Sequence, residues 1–266
     1  MSKQTNFVTF KGKMGGISFY QNKNGEHVAR KAGGPSKERI MTDPKFERVR
    51  ENLSEFSGLA KATSSFTQIF APVKNLKDGR VRGRISKVYR DMMKVDETAF
   101  RGKRQIFLSQ HKKDLIKFEL NAISPFRSSF TKRFPTSHST DRTTVTATIT
   151  NLNISRSVVP PPLTSHFQLI QLAGVLTDTV YNEKTSTYES TNDMIDAISD
   201  VTFSEYYPMA STEPVSITLE TKIETTTPLT DDATVVHAVG ILFFLKDGTA
   251  YYPSNQGMGM RIVGVY

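Results

Sequence analysis

"TTVTATIT", residues 143–150, decides the class of the larger part of this chain. Val145, Ala147 and Ile149 alternate with threonines at a period of two, which sends one set of side chains to an apolar face and the other to a polar one. Val215, Ile217, Leu219 and Ile223 repeat the pattern, and Ile116, Phe118 and Leu120 alternate with Lys117 and Glu119. Threonine is β-branched and suits a pleated, half-buried surface better than a helix; 6 threonines fall in residues 1–123 and 24 in residues 124–266. "FFLKDGTAYY" adds a hairpin about Asp247-Gly248, "GMRIVGVY" a last strand, and "VVPPPLTS", residues 158–165, an extended crossing. One helical turn is expected in "NDMIDAISD", residues 192–200. Seven to ten strands with turn signals between them predict an antiparallel β-sandwich, Ig-like or jelly-roll-like, over residues 114–266.

The preceding segment reads differently. Asp43 before Pro44 is a helix N-cap followed by proline at the first helical position. Phe46, Val49, Leu53, Phe56, Ala60, Phe66 and Phe70 then follow helical spacing, and a second helix from about Gly79 sets Val81, Ile85, Val88, Met92 and Val95 on one side. The pair predicts a helical hairpin within residues 36–113. Ahead of it, Asn6 to Phe10 and Ile17 to Tyr20, separated by Gly15-Gly16, with Asn24-Gly25 further on, predict a small β-meander over residues 5–31 of an N-terminal arm, 1–35. The fold class is therefore α+β: meander, helical hairpin, sandwich.

Composition narrows the chemistry. The 266 residues contain no cysteine, which excludes disulfides, thiolate metal sites and thiol nucleophiles. The start "MSKQTNFVTF" lacks an apolar leader, and the longest apolar run, "AVGILFFL" at 238–245, falls far short of the roughly 20 residues of a membrane span. A cytoplasmic protein is the expectation, with release as part of an assembly as the alternative. Charge is split: 26 Lys and Arg face 12 Asp and Glu in residues 1–123, against 9 and 14 in residues 124–266. The basic half suits either a polyanion or the acidic half of a neighbouring copy, and two solvated surfaces of different composition are the plain alternative.

No reaction site emerges. "AGGPSKE" lacks the spacing of a phosphate loop, and Pro35 removes an N–H that such a nest would use. His27, His111, His138, His166 and His237 lie far apart, "SHSTD" at 137–141 reads as a polar loop, and the acids from Asp193 to Glu205 lack a calcium-loop register. Neither catalytic, cofactor nor metal residues are expected, and no small-molecule substrate. The sequon Asn153-Ile154-Ser155 means little without secretion.

What stands out is basic: Arg30, Lys31, Lys37, Arg39, Arg48 and Arg50, then Arg80, Arg82, Arg84, Lys87 and Arg90, then Arg101, Lys103 and Arg104. These are candidates for a subunit interface or a polyanion surface. Phe7, Val8, Thr9 and Phe10 are candidates for an arm that adds as a strand to the sheet of a neighbouring copy. No helix-turn-helix, RRM or zinc-finger pattern accompanies the cations.

"KGKMGGISFYQNKNGEHVARKAGGPSKERIMTDPKFERVRENLSEF", Lys11 to Phe56, resembles the opening of an uncharacterised protein family of Bacteroidota, through K-G-x-x-G-x-x-S-F-Y, A-R-x-x-G-G-x-S-K-x-R-I and D-P-x-F-x-R-x-R-E-N. The likeness covers the first 120 residues well and the β region only through "FELN" and "SHFQLI"; Leu53 stands where a polar residue is expected. It implies a bacterial, cytoplasmic protein and carries across no catalytic residue. Taken together, the expectation is a non-enzymatic structural protein that self-associates head-to-tail into a filament, tube or phage-like assembly, with nucleic-acid binding by the basic helical hairpin as the alternative.

Overall fold

The computed structural model describes residues 2–5, 8–31 and 33–266. Two compact units divide the chain, Met1–Asn52 and Leu53–Tyr266. The first holds four short strands, β1 (Ser2–Lys3), β2 (Gly12–Met14), β3 (Ile17–Gln21) and β4 (His27–Lys31), antiparallel in the order β1-β4-β3-β2. Gly15 and Gly16, at φ 55° and 74°, form a two-residue turn that only residues at ease with positive φ can make, and it sets Met14 opposite Ile17. In the next turn Asn22 Oδ1 accepts from the N–H groups of Asn24 and Glu26, and Gly25 takes φ 81°.

The Gly-Gly turn pairs β3 with the residues directly before it, 12–14. Of the expected strand Asn6 to Phe10, Asn6 and Phe7 lie outside the described residues, and Val8, Thr9 and Phe10 form no strand. Their loop is closed instead by Gln4, whose side chain accepts from the Phe10 N–H at 2.8 Å and donates to the Phe10 carbonyl at 3.2 Å. Among the described residues of this unit only Val28 is buried.

Helix α1 (Lys37–Thr42) follows, capped by Ser36 Oγ on the Arg39 N–H. Asp43 caps as expected, but on a 3₁₀ turn, Pro44–Phe46, that leads into α2 (Glu47–Ile69). The buried side of α2 is Leu59, Ala62, Phe66 and Ile69, with Gly58. Val49, Leu53 and Phe56 of the expected stripe are exposed. Small residues help choose the face: a Cβ on Gly58 would lie 2.7 Å from the Tyr188 ring, so only glycine allows that ring to lie against the helix there.

The second unit continues with α3 (Val81–Lys94), α4 (Phe126–Ser129), β5 (Thr136–His138), β6 (Thr144–Leu152), α5 (Ile154–Ser157), β7 (His166–Thr177), β8 (Thr179–Asn182), β9 (Thr187–Ser190), β10 (Ser199–Phe203), β11 (Tyr207–Pro208), β12 (Val215–Lys222), β13 (Ala233–Asp247), β14 (Ala250–Pro253) and β15 (Gly259–Val265). A six-stranded sheet runs β10-β7-β13, with β11 also on β7 and with β14 and β15 on β13. A three-stranded sheet, β12-β6-β5, packs on one face, and β8 and β9 form a separate hairpin. Both sheets are antiparallel, giving the expected sandwich.

Phe167, Leu169, Val239 and Phe243 meet Ile149, Leu152, Ile217 and Leu219 in the space between the sheets. The other face of the large sheet is covered by helices: Leu59, Phe66, Ile69, Ile85, Tyr89 and Met92 share a core with Ile170, Leu172, Leu176, Val236, Leu242 and Ile262. The architecture is thus three layers, helices on sheet on sheet. The helices of the expected segment 36–113 therefore share a core with the sheet of the expected segment 114–266.

Two further elements differ. Residues 116–120 are not a sandwich strand: Lys117 turns at φ 73°, and the segment pairs with β15 only through an isolated bridge of Glu119 to Arg261, with the Leu120 N–H on the Met260 carbonyl at 2.9 Å. The 192–200 segment is a single turn, closed by the Asp196 N–H on the Asn192 carbonyl, before β10 begins. Among the described residues, no helix is long and apolar enough to cross a membrane.

Candidate functional site

Six of the fourteen expected basic residues hold carboxylates or carbonyls of their own chain. Arg84 grips Asp78 with one nitrogen, at 2.8 and 2.6 Å, and with the other donates to the Glu119 and Leu120 carbonyls. Asp78 also accepts from the N–H groups of Arg80 and Ala122, each at 2.7 Å. Burial pushes its pKa up, but those N–H groups and the Arg84 guanidinium outweigh burial and hold it below the usual carboxylate range. Arg104 makes a two-pronged bond to Glu55, 2.7 and 2.8 Å, beside the Gly102 N–H at 2.8 Å. Burial again opposes ionisation of Glu55, and these donors again win.

Further cations have partners too. Arg39 pairs with Asp43 at 3.3 Å, Arg48 with Glu51 at 2.8 Å, and Arg50 donates to the Ile40 and Asp43 carbonyls. Lys103 meets Glu183 at 2.7 Å, and Lys61 meets Asp193 at 3.2 Å. These last two pairs join the basic half to acids of the second half within one chain.

Other cations are exposed. Arg30, over the Tyr20 ring at 5.4 Å, Lys31 and Lys37 are exposed in the first unit. Arg80, Arg82, Lys87 and Arg90 are exposed on or beside α3, and Arg101, beyond it, is exposed yet close enough to Glu55 to help hold its pKa down. At about 100° per residue, Arg80, Lys87, Arg90 and Lys94 fall within an arc of roughly 80°, opposite the side buried through Val81, Ile85 and Met92.

The loops considered for chemistry have structural roles. Ser36 of "AGGPSKE" is the α1 cap, which makes the stretch a joint between β4 and the helices. In "SHSTD" Ser139 Oγ bonds Asp141, while His138 Nδ1 lies 2.8 Å from the Ser139 carbonyl and its ring lies tilted against Tyr266, centroids 4.2 Å apart, so the serine hydroxyl is engaged with the acid rather than the imidazole. Asp196 accepts from Ser65 Oγ at 2.6 Å and from the Thr177 N–H at 3.0 Å, tying a loop to α2. His237 on β13 is fully buried with both ring nitrogens unpartnered, and burial brings its pKa down to about 4. Among the described residues no three His, Asp or Glu side chains are grouped to hold a metal.

A denser cationic group escaped the sequence reading. Lys117, Arg127, Lys132, Arg133 and Arg261 line a cleft of about 440 Å³ in the second unit, and its lining includes no carboxylate. Arg127 stands on α4, Lys132 and Arg133 on the segment leading to β5, Arg261 on β15, and Lys117 at the turn whose N–H bonds the Ile262 carbonyl at 2.9 Å. Phe126, Phe130 and Phe134 form the apolar wall, the first pair stacked at 5.4 Å and the second edge-on at 6.0 Å. Glu119 stands behind it, 3.8 Å from Arg261, accepting from the Phe126 N–H at 2.8 Å. Burial raises the Glu119 pKa, and the Phe126 N–H and Arg261 offset this only in part.

The signal was present in "FRSSFTKRF", residues 126–134, where phenylalanines recur every fourth residue among cations. The acidic balance of the second half concealed it: four of its nine Lys and Arg converge on this one cleft. Searches of family models, curated proteins and solved structures find no match to the chain.

Proposed function

We propose that the protein is a non-enzymatic structural subunit that self-associates through its N-terminal unit into a cytoplasmic filament, tube or phage-like assembly. One observation carries this reading: the four-stranded sheet of the first unit buries a single described side chain, Val28, while Val8, Phe10, Met14 and Ile17 are exposed. So small a sheet is marginal in water until a face is covered. The outer strand β2 offers unpaired backbone groups to a strand of a neighbouring copy, taking the part first given to Phe7, Val8, Thr9 and Phe10. Charge pairing between the halves of successive copies contributes less, because Lys61 and Lys103 already hold acids of their own chain. The resemblance to the Bacteroidota family belongs to the same proposal and adds no activity.

Sedimentation and negative-stain imaging test it, on the full chain and on one lacking residues 1–31. Assemblies of the full chain that vanish on truncation support the reading. Monomers at every concentration of the full chain reject it.

A second reading, nucleic-acid binding, is favoured by the arc of Arg80, Lys87, Arg90 and Lys94 on α3, of which Lys94 pairs with Asp91 at 3.7 Å. Fluorescent DNA that fails to shift at about 50 mM salt, where phosphate contacts are strong, would remove it.

A further inference from the structure

We propose that the cleft between the Phe126–Phe134 segment and β15 binds a multiply charged phosphate ester of the size of a nucleoside di- or triphosphate. This goes beyond self-assembly and uses none of its residues.

Convergence of charge is the first argument. Lys117, Arg127, Lys132, Arg133 and Arg261 come from separate places in the chain and meet around one cavity with no carboxylate in its wall. Five cations so placed repel one another, and the field they share attracts an anion. Neutralisation from within is partial. Glu119, outside the lining, bonds the Phe126 N–H, lies 3.8 Å from Arg261 and is close enough to Arg127 for the two charges to attract. Lys132 donates to the Asn151 carbonyl, which carries no net charge, and Lys117 and Arg133 have no acid at salt-bridge distance among the described residues.

Size and shape supply the second. At about 440 Å³ the cleft is within the usual range of small-ligand sites, roughly 300–1,000 Å³. Three of the five cations are arginines, whose planar forks match pairs of phosphate oxygens. Partly exposed Phe134 and Val263, with exposed Ile116, give an apolar surface on which an organic body can rest.

Charge density separates a phosphate chain from an acidic peptide. Successive side chains of an extended peptide point to opposite sides, so a peptide delivers one carboxylate to a given wall only about every 7 Å. A triphosphate brings comparable charge within one small volume.

Calorimetric titration of the full chain at about 50 mM salt with ATP, AMP, inorganic tripolyphosphate and a short single-stranded oligonucleotide tests the proposal. ATP and tripolyphosphate are expected to bind and AMP to bind at least about tenfold more weakly, since AMP reaches fewer of the cations. The double variant R127A/R133A is expected to lose about tenfold or more in ATP affinity, whereas R90A on α3 leaves it unchanged. Both cleft arginines are exposed, and unchanged thermal melting of the unliganded variant confirms that its fold is intact. No saturable binding of ATP or tripolyphosphate at millimolar concentration overturns the proposal. So does ATP binding indifferent to R127A/R133A, or oligonucleotide binding that needs these arginines while ATP does not bind.

Discussion

Strand β4 buries one of its five residues, and β13 buries its first twelve. Both lie in antiparallel sheets, and each is joined by a short turn to the strand beside it. The turn chemistry of the first sheet is, if anything, the better: Gly15-Gly16 and the Asn22 side chain specify it residue by residue. What separates the two is layering. The central sheet has the helices on one face and β12-β6-β5 on the other, so nearly every side chain of β7, and the first twelve of β13, leave water. Turns set register; covered faces supply stability.

The strongest way to break this comparison is a matched pair of truncations. Phe66 is 0% exposed and packs on Phe70, Tyr89 and Phe118 with ring centroids at 5.0, 6.4 and 5.6 Å. Phe66→Ala is expected to cost about 3–5 kcal/mol in urea unfolding, against well under about 1 kcal/mol for Phe19→Ala in the first sheet. Equal losses would mean that the first sheet is as firmly built as the second.

Next in size is the acid limb of stability. Burial sets the folded pKa of His237 at about 4, below its ordinary 6.5, so the unfolded chain takes up the proton first. The stability that neutral His237 permits is complete above about pH 6.5 and drains away as pH falls toward 4, by about 3 kcal/mol at most. Denaturation against pH with His237→Leu is expected to show a flatter profile between those values. An unchanged slope would place the proton uptake elsewhere.

Arg104→Met removes the two-pronged partner of buried Glu55 and leaves it the Gly102 N–H and the charge of Arg101, at an expected cost of about 1–3 kcal/mol. Here the sign is that of a depressed carboxylate: the contribution of the pair is present above the ordinary pKa of Glu55 and is lost as pH falls through the folded one. The stability gap between wild type and Arg104→Met should therefore close in acid, which urea titrations at two pH values would read.

The smallest effect sharpens the contrast without a substitution. Amide exchange is expected to be fast in β2, β3 and β4 of the monomer and to need global unfolding in β7 and β13. Protection of β3 equal to that of β13 in a monomer would contradict the covered-face account.

Legibility in the sequence followed the same division. The threonine alternation marked β6 and β12, each wet on one face, and their burial alternates accordingly. Strand β7 carries no such alternation, because both its faces are covered, and "HFQLIQLAGVLT" reads as a run without period. Likewise "AVGILFFL", too short to span a membrane, is the core of a doubly covered strand. The stripe on α2 was placed one face away because spacing alone ranks Phe56 with Phe66, and only the approach at Gly58 tells them apart. The basic residues were legible as charge, yet not whether each would pair inside the chain, as Arg84 and Arg104 do. The cleft cations were least visible, since Lys117 and Arg261 meet Arg127 and Arg133 only after β15 has been laid down.

Strand β7 has a consequence for how this protein tolerates change. Ile170, Leu172 and Leu176 answer to the helices, while Leu169, Ala173 and Val175 answer to the second sheet. Gly174 faces Ile69, whose Cβ would be 2.9 Å from any Cβ placed there, whereas Ala173 one step away belongs to the opposite core. Compensating substitutions along this strand must therefore be sought in alternating places, helix then sheet, so that the strand is a two-sided record in which adjacent letters have different correspondents.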